Sequence, residues 1–393
     1  MYYLNDVGVL CTMGSNKAQI VDALLTRERD IPAQAKLLSP ENGRWVGRIH
    51  ASLPQLPYSL ERFDCRNNRL ALAALEQLRP ALQAAVARYG TSRIGVVMGT
   101  STSGIAATEA AVRTVAQQGT YPPGYHAIQG ALGGLGEFVA AYVGTSGPVS
   151  TVSTACSSSG NAILSARRLL SLGLCDAVVV GGVDSLCELT MQGFGALDAL
   201  SKGYCKPLTA GRDGINIGEA AAIFLLSREQ YGARLIGGAA SSDAYHISAP
   251  HPEGEGALQA MQGALRDGAI GAAEVDYLNL HGTGTHHNDL MECAAVARLF
   301  GCNTPCSSTK SLTGHTLGAA SALELAFCWL LLNRNAHWRL PPALYTDEFD
   351  PQLAPVRLAG VDDDMGHRPE ICMSNSYAFG GSNVSLLIGV CDD

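Results

Sequence analysis

The sequence predicts an α/β protein whose elements form two halves of one compact body. Short β-branched runs such as Arg93–Met98 alternate with helical stretches, which is typical of βαβ units around a buried sheet. Glycine or proline stands at nearly every junction. A second series of strands and helices begins around Arg234, and no low-complexity linker or long charge run separates it from the first.

The size and charge of the chain limit the classes of function. Its 393 residues, 47% of them hydrophobic and 16% charged, are enough to bury a large core. A net charge of −8 without a Lys/Arg cluster argues against nucleic-acid binding, because phosphates require a basic face. An acidic protein could still dock on a local basic patch. The twelve cysteines are scattered without a CxxC pair, as expected for reduced thiols in the cytoplasm.

No segment predicts export or membrane insertion. The N-terminal stretch MYYLNDVGVLCTMGSN lacks a basic start followed by a long apolar run. The most apolar helix candidate, Ala319–Asn333, is too short to span a bilayer and contains Glu324. We therefore expect a core helix here and a cytoplasmic protein without a membrane span.

Four predicted strands position the motifs that carry chemistry. Each is rich in β-branched residues and is bounded by residues typical of turns. The four are Arg93–Met98, Val149–Ser153, Asp176–Val180 and Val275–Leu280. Because active sites of open α/β sheets gather at strand ends, the residues that follow these strands are the first candidates for function.

Cys156 lies where the second of these strands gives way to a helical pattern, in STACSSSG. It has two interpretations, a small buried hydrophobe or a nucleophile. At the start of a helix, unpaired N–H groups and the helix dipole lower the pKa of a thiol, which favours the nucleophile. The small residues Ser157–Gly160 permit a sharp turn and a close approach of a ligand.

Two downstream motifs supply candidate partners for a nucleophilic cysteine. His281 follows the strand VDYLNL and starts the segment HGTGTHHNDLME. Lys310 and His315 lie in the loop SSTKSLTGH, which leads into the core helix. A structural histidine and an ordinary helix entry are the alternatives, but the position of His281 at a strand end favours a function.

Metal and phosphate sites are weaker interpretations of these segments. His281, His286, His287 and Asp289 carry plausible zinc ligands, but HExxH spacing is absent and adjacent histidines point in different directions. The segment Gly99–Gly104 could hold a phosphate, but it lacks the lysine and the spacing of a P-loop. We expect no metal in the site.

Taken in order along the chain, these motifs resemble those of the β-ketoacyl-acyl carrier protein synthases, the elongating condensing enzymes of fatty acid and polyketide synthesis. The resemblance rests on Cys156 in STACSSSG, His281 in HGTGT, Lys310 and His315 in SSTKSLTGH, and the C-terminal SNSYAFGGSN. It extends through most of the chain, with the further matching blocks GGVDS, GFGALDALS, GRDG and SDAYH.

The resemblance implies a thiolase-like fold, with two similar α/β halves in a five-layered α-β-α-β-α body that dimerises. Residues 1–230 correspond to the N-terminal half with the nucleophilic cysteine, and residues 231–393 to the C-terminal half with both catalytic histidines. It also implies an acyltransferase that joins malonyl-acyl carrier protein, with loss of carbon dioxide, to an acyl group held on Cys156.

Partners and cofactors follow from the same resemblance. The 4′-phosphopantetheine group arrives on the acyl carrier protein, so no further cofactor is expected. The second subunit is either an identical chain or a chain-length-factor-like ketosynthase homologue. The segment between the first helix and Arg93 is short for the family, and in this compactness the chain looks similar to the ketosynthases of aryl polyene clusters, which indicates aryl polyene synthesis as the pathway.

Individual residues take family roles by their positions in the matching motifs. Cys156 carries the acyl group, and His281 and His315 donate hydrogen bonds to the malonyl thioester oxygen. The other assigned residues are the network residues Lys310 and Glu292, the oxyanion-hole N–H groups of Cys156 and Phe379, the pantetheine-binding Thr283 and Thr285, and the acyl-pocket residues Ile105, Phe194 and Phe379.

Other classes with a related fold differ in the same motifs. Thiolases have a second cysteine in the terminal glycine-rich motif, where this chain reads YAFGG, and starter-type enzymes use Cys-His-Asn. Chain-length factors have lost the cysteine. A non-catalytic subunit of that kind and a thiolase acting on coenzyme A esters are the alternatives. His286 stands where the family often has proline, and Ala220–Ala222 replaces a glycine-rich stretch.

Overall fold

The computed structural model describes residues 1–26, 37–343 and 348–391. The strands, numbered in chain order, are β1 Tyr3–Leu10, β2 Ser39–Glu41, β3 Arg44–Gly47, β4 Ile94–Gly99, β5 Val149–Val152, β6 Ala177–Asp184, β7 Ile217–Gly218, β8 Ala220–Ser227, β9 Ala233–Ser242, β10 Tyr277–Asn279, β11 Pro305–Ser307, β12 Arg357–Leu358, β13 Ile371–Ala378 and β14 Ser382–Val390. The α-helices are α1 Lys17–Leu25, α2 Arg66–Tyr89, α3 Ile105–Gln118, α4 Gly134–Val143, α5 Ser158–Ser171, α6 Glu188–Ala196, α7 Glu255–Gly268, α8 His286–Phe300, α9 Lys310–Thr313 and α10 Ala320–Arg334.

The four predicted strands are all present, as β4, β5, β6 and β10. The main difference is β6, which continues past the predicted end at Val180 to Asp184. The glycines in this extension, Gly181 and Gly182, lie in close contact with β8 and α5, where a Cβ atom would clash. Glycine here therefore allows close packing inside a strand, although in the sequence it suggested a strand end.

Within the described residues, one hydrogen-bonded sheet runs through both halves in the order β12-β11-β10-β13-β14-β9-β1-β8-β6-β4-β5. The halves meet where β1 and β9 pair antiparallel, Tyr3 with Arg234 and Leu4 with Ala233. The strand β4 is parallel to β5 and β6, and β10 is parallel to β11 and β13. The carboxyl ends of parallel neighbours lie at the same edge of the sheet. In each half, the loops that follow the three parallel strands therefore lie side by side at that edge.

The helices form the outer and middle layers of a five-layered body. On one outside face α2 packs on β1, β8 and β6, and on the other α7 packs on β9 and β14. Between them α5 and α10 contact strands from both halves of the sheet. This arrangement confirms the thiolase-like α-β-α-β-α fold. The division between residues 230 and 231 lies in the turn between β8 and β9 and stays a prediction.

The middle layer contains the most apolar segment of the chain. With the 3₁₀ turn before it, α10 forms the 18-residue stretch Leu317–Arg334, which has the length and composition to cross a membrane, so the expectation that it is too short is wrong. This stretch is 89% buried inside the protein. A helix that is apolar on all sides and covered on all sides is a core helix, as predicted.

Candidate active site

Cys156 lies in a tight turn between β5 and α5. The N–H groups of Ser157 and Ser158 donate to the carbonyls of Thr154 and Ala155. Ala155 has a φ of +52°, in the left-handed region that alanine seldom adopts. Such local strain is often found where a turn must aim a functional side chain. The turn places Cys156, 6% exposed, in the wall of a cavity of about 530 Å³.

Two histidines from the C-terminal half meet this cysteine. The Sγ atom of Cys156 lies 2.9 Å from Nε2 of His315. The rings of His315 and His281 make an edge-to-face contact with centroids 5.2 Å apart. Burial, reinforced by the charge of Lys310, holds the pKa of both imidazoles well below the usual range. Both rings are therefore neutral at neutral pH.

Lys310 sets the tautomer of His281. The lysine is 1% exposed, and its Nζ donates to the carbonyl of His281 and to Oε1 of Glu324. Nζ also lies 3.3 Å from Nδ1 of His281. Because an ammonium has no acceptor, Nδ1 accepts this bond and the ring proton is on Nε2. His281, which lines the cavity, thus has an Nε2–H group free to donate.

Glu324 is a residue of the site that the motifs did not reveal. It belongs to α10, is 2% exposed and pairs with Lys310. Its Oε2 has no hydrogen-bond partner within the described part of the chain. Burial raises the pKa of this carboxyl to about 7, although Lys310 acts to lower it. A signal was available, because an acidic residue inside an apolar helix is rarely buried without a partner.

Glu292 supports the site through the backbone. Its Oε1 accepts from the N–H of His281 at 2.7 Å, and its Oε2 accepts from the N–H of Gly282 at 2.6 Å. Burial raises the pKa of Glu292 to about 8. The carboxyl therefore anchors the loop after β10, and with it the position of His281.

The environment of Cys156 corrects one expectation from the sequence. Burial raises the pKa of its thiol to about 12, although the charge of Lys310 and the N–H of Phe379 act to lower it. The expected lowering at the helix start is wrong, because loss of solvent outweighs the helix terminus around this side chain. The resting group is a thiol, and Nε2 of His315 lies within hydrogen-bond distance to accept its proton.

Four other predicted residues line the same cavity as Cys156, namely Thr283, Thr285, Phe194 and Phe379. The hydroxyl oxygens of the two threonines are 2.9 Å apart. The two phenyl rings have centroids 5.5 Å apart. Phe379 follows β13, and its N–H forms a hydrogen bond with the Cys156 sulfur. That N–H is consequently close enough to donate a hydrogen bond to the carbonyl oxygen of an acyl group bonded to the sulfur.

Ile105 does not line this cavity. It is the first residue of α3, and it is absent from the described residues that line the cavity. The preceding Gly104 lies against the carbonyl of Gln129 and the sulfur of Cys65, with no room for a Cβ atom. The geometry of this cavity therefore gives no support to placing Ile105 in the acyl pocket, and that role stays a prediction.

The loop after β4 contributes to the site through a buried aspartate. The N–H groups of Ser101 and Thr102 each donate to Oδ1 of Asp184 at 2.8 Å, and the N–H of Gly318 donates to Oδ2 at 2.6 Å. Asp184 therefore joins this loop to the turn before α10. Because these N–H groups already have an acceptor, the phosphate interpretation of Gly99–Gly104 is wrong.

The zinc interpretation of His281 with Asp289 is not supported. Both carboxylate oxygens of Asp289 accept backbone N–H bonds, and one of them lies 3.8 Å from Nε of Arg212. Among the residues that the structure describes, the metal-ligating atoms that converge within 4.8 Å belong to Cys156, His281 and His315. The buried ammonium against His281 opposes a second cation there. The absence of a metal stays a prediction.

Comparisons with known proteins match most of the chain. Residues 57–231 match the family model of the β-ketoacyl synthase N-terminal domain, and residues 232–344 match that of its C-terminal domain. Nodulation protein E of Rhizobium meliloti (strain 1021) is 31% identical over 401 residues, which cover 98% of this chain and 97% of that protein.

Two further likenesses involve a synthase and a solved complex. The 3-oxoacyl-[acyl-carrier-protein] synthase 2 of Rhizobium meliloti (strain 1021) is 38% identical over 269 residues, which cover 62% of this chain and 61% of that protein. A chain in the structure of a ketosynthase (ApeO) in complex with its chain length factor (ApeC), from Xenorhabdus doucetiae, is 45% identical. It superposes with a TM-score of 0.90 and covers 99% of this chain and 98% of that chain.

Proposed function

Because this chain belongs to the β-ketoacyl synthase family of condensing enzymes, acyltransferases of the EC 2.3.1 class, we propose that it condenses malonyl-acyl carrier protein with an acyl group held on Cys156. The observation that carries the proposal is the 2.9 Å contact between Cys156 Sγ and His315 Nε2, beside the neutral imidazole of His281. A thiol next to a base can accept an acyl group, and a neutral N–H donor can stabilise an enolate.

In the first step Cys156 takes the acyl group from its carrier. The thiol proton moves to Nε2 of His315 as sulfur attacks the thioester carbonyl. The N–H groups of Cys156 and Phe379 bind the resulting oxyanion, and loss of one such donor typically costs about 3 kcal/mol. When the intermediate collapses, the pantetheine thiolate leaves and takes the proton from His315.

In the second step malonyl-acyl carrier protein enters the cavity. The bond between its carboxylate and its methylene carbon breaks, carbon dioxide leaves, and the electron pair forms an enolate. The enolate oxygen accepts N–H bonds from His281 and His315. The enolate carbon then attacks the acyl carbonyl and expels the thiolate of Cys156, which takes a proton from solvent, and the β-ketoacyl product remains on the carrier.

His315 acts as an acceptor in the first step and as a donor in the second. In the described part of the chain its Nδ1 has no hydrogen-bond partner. Neighbouring groups therefore do not fix the tautomer of His315, in contrast to that of His281. The ring can hold its proton on Nδ1 while Nε2 accepts, and on Nε2 once the acyl-enzyme has formed.

The proposal includes a pathway and a partner. The compact segment before Arg93 and the likeness to the ketosynthase and chain length factor complex support an aryl polyene pathway, with a chain-length-factor-like homologue as the second subunit. The enzyme acts in the cytoplasm on carrier-bound substrates, and its only prosthetic group is the phosphopantetheine of the carrier. Retention of Cys156, His281 and His315 favours this role over the non-catalytic one.

Mass spectrometry after incubation with acyl-loaded carrier protein tests the proposal. We expect one acyl adduct, on the peptide that contains Cys156, and a condensation product once malonyl-acyl carrier protein is added. Cys156→Ala should lose both, whereas Cys302→Ala, which removes an exposed thiol, should keep both. Cys156→Gln, which imitates the acyl carbonyl, should release carbon dioxide without condensation.

Three results would contradict the proposal or its parts. Full condensing activity in Cys156→Ala would exclude this residue as the acyl carrier. Efficient acyl exchange with free coenzyme A, without decarboxylation, would indicate a thiolase. Purification as a homodimer that condenses without a second ketosynthase-like chain would exclude the proposed partner.

A further inference from the structure

His286 has a position and an environment that the family resemblance does not explain. It starts α8 and lines the cavity that contains Cys156. It stands where the resembling enzymes often have proline, which has neither a donor nor a polar side chain. Its Nδ1 lies 3.2 Å from Nη2 of Arg212. A guanidinium has only donors, so Nδ1 accepts and the ring proton of His286 is on Nε2.

Arg212 is itself held firmly, so the fold determines this tautomer. The arginine side chain is 2% exposed, and its Nη1 donates to Asp350 and to the carbonyl of Thr209. A carboxylate oxygen of Asp289 lies 3.8 Å from its Nε. The carboxylate of Asp350 and the carbonyl of Thr209 thus orient the guanidinium, and its Nη2 is directed at His286. Arg212 is a positioning residue for that ring.

The exposure of His286 indicates which part of a substrate it meets. His286 is exposed, whereas Cys156 is buried, so His286 lies toward the solvent end of their common cavity. A thioester that reacts at Cys156 leaves its prosthetic arm in the outer part of the cavity. The arm carries amide and phosphate oxygens that accept hydrogen bonds, whereas a hydrocarbon acyl chain would leave an Nε2–H group unpaired.

We propose that His286 is a substrate-binding residue whose Nε2–H donates to an acceptor oxygen on the phosphopantetheine arm of the carrier protein. The inference rests on the proposed function, because the carrier-bound substrate of that function brings this arm to the cavity. The shared chemistry is one N–H donor and one oxygen acceptor. An amide carbonyl and a phosphate are the two sources of that oxygen on the arm.

Condensation kinetics of the His286→Ala and His286→Gln variants test the proposal. His286→Ala should raise KM for malonyl-acyl carrier protein about three- to tenfold, the effect of one hydrogen bond, with little change in kcat. His286→Gln keeps a side-chain N–H and should recover part of the loss. The control is His337→Ala, which removes an exposed imidazole that does not line the cavity and should leave KM nearly unchanged.

Two small substrates identify the acceptor oxygen. Malonyl-pantetheine lacks the phosphate that malonyl-phosphopantetheine carries. A KM increase in His286→Ala with both substrates assigns the bond to an amide carbonyl. An increase confined to the phosphorylated substrate assigns it to the phosphate.

The positioning role of Arg212 is tested in combination with His286. Arg212→Lys should raise KM in the wild-type background but should add nothing further to His286→Ala, because the two changes remove the same interaction. An unchanged KM in an active His286→Ala variant would overturn the proposal, as would a fall in kcat that His286→Gln does not restore. Failure of the wild-type protein to condense would instead contradict the proposed function.

Discussion

Replacing Lys310 by methionine removes one buried ammonium and leaves its three acceptors without a donor. The side chain is 1% exposed and donates to Glu324 and to two atoms of His281. In Lys310→Met, Glu324 becomes a buried carboxyl without a cation. Removing one partner of a buried ion pair costs about 3–5 kcal/mol, and we expect a loss of this size in the free energy of unfolding.

The pH dependence of this loss has a definite sign. Burial raises the folded pKa of Glu324 to about 7, from an ordinary value of 4.5, and loss of Lys310 raises it further. Near pH 6 the folded carboxyl is protonated in both proteins, whereas near pH 8 it is ionised only in the wild type. The unfolded carboxyl is ionised at both values. The destabilisation by Lys310→Met should therefore be smaller at pH 6 than at pH 8.

The same substitution should impair catalysis for a separate reason. Without Lys310, the His281 proton is no longer confined to Nε2, and the donor to the enolate oxygen is lost. Loss of one such donor typically lowers the rate about 10²- to 10³-fold, so carbon dioxide release from malonyl-acyl carrier protein should fall by at least about 10²-fold.

The double variant Lys310→Met/Glu324→Met separates stability from catalysis. Urea unfolding measures the first and carbon dioxide release measures the second. An apolar pair of similar volume often stabilises a core as well as the ion pair did, so stability should recover while decarboxylation stays low. Recovery of both in the double variant, or a loss of less than about 1 kcal/mol in Lys310→Met, would refute the reasoning.

Three further predictions address Glu292, metal content and Ile105. Burial raises the folded pKa of Glu292 from 4.5 to about 8, so the wild type should lose stability as pH rises between these values. Glu292→Gln should reduce this dependence of the melting temperature on pH. An equal dependence in both proteins would contradict the prediction. Dialysis against EDTA should leave condensation unchanged, and a loss of activity that zinc restores would contradict the prediction that the enzyme works without a metal. Ile105→Ala should favour long acyl donors over short ones and Ile105→Phe the reverse, measured with acyl carrier proteins that hold acyl groups of increasing length. An unchanged preference in both folded variants would exclude Ile105 as a determinant of chain length.

Residues whose role depends on a local turn or strand end could be predicted from the sequence. Cys156 was recognisable because the small residues around it permit the turn between β5 and α5 that the structure contains. His281 was recognisable because it follows the short strand β10 directly. Such patterns lie within about ten residues of the chain, and the physical requirement that produces them is equally local.

Residues whose role depends on distant partners could not be predicted in this way. Glu324 pairs with a lysine 14 residues earlier, and Asp184 accepts a hydrogen bond from a residue 134 positions later. The contact of His286 with Arg212 spans 74 residues. No local pattern records such pairs, because they arise from the packing of α10, β6 and α8 against other elements.

The sequence by itself determined the α/β class, the family resemblance and the reactive residues Cys156, His281 and His315, because these depend on residue type and short-range order. Only the tertiary structure decided how they act together. Cys156 and His315 are 159 positions apart, yet their side chains are 2.9 Å apart. It also decided that both imidazoles are neutral and that the cysteine is a thiol. Protonation states follow from desolvation and nearby charge, and both depend on everything that packs around a group rather than on its neighbours in the chain.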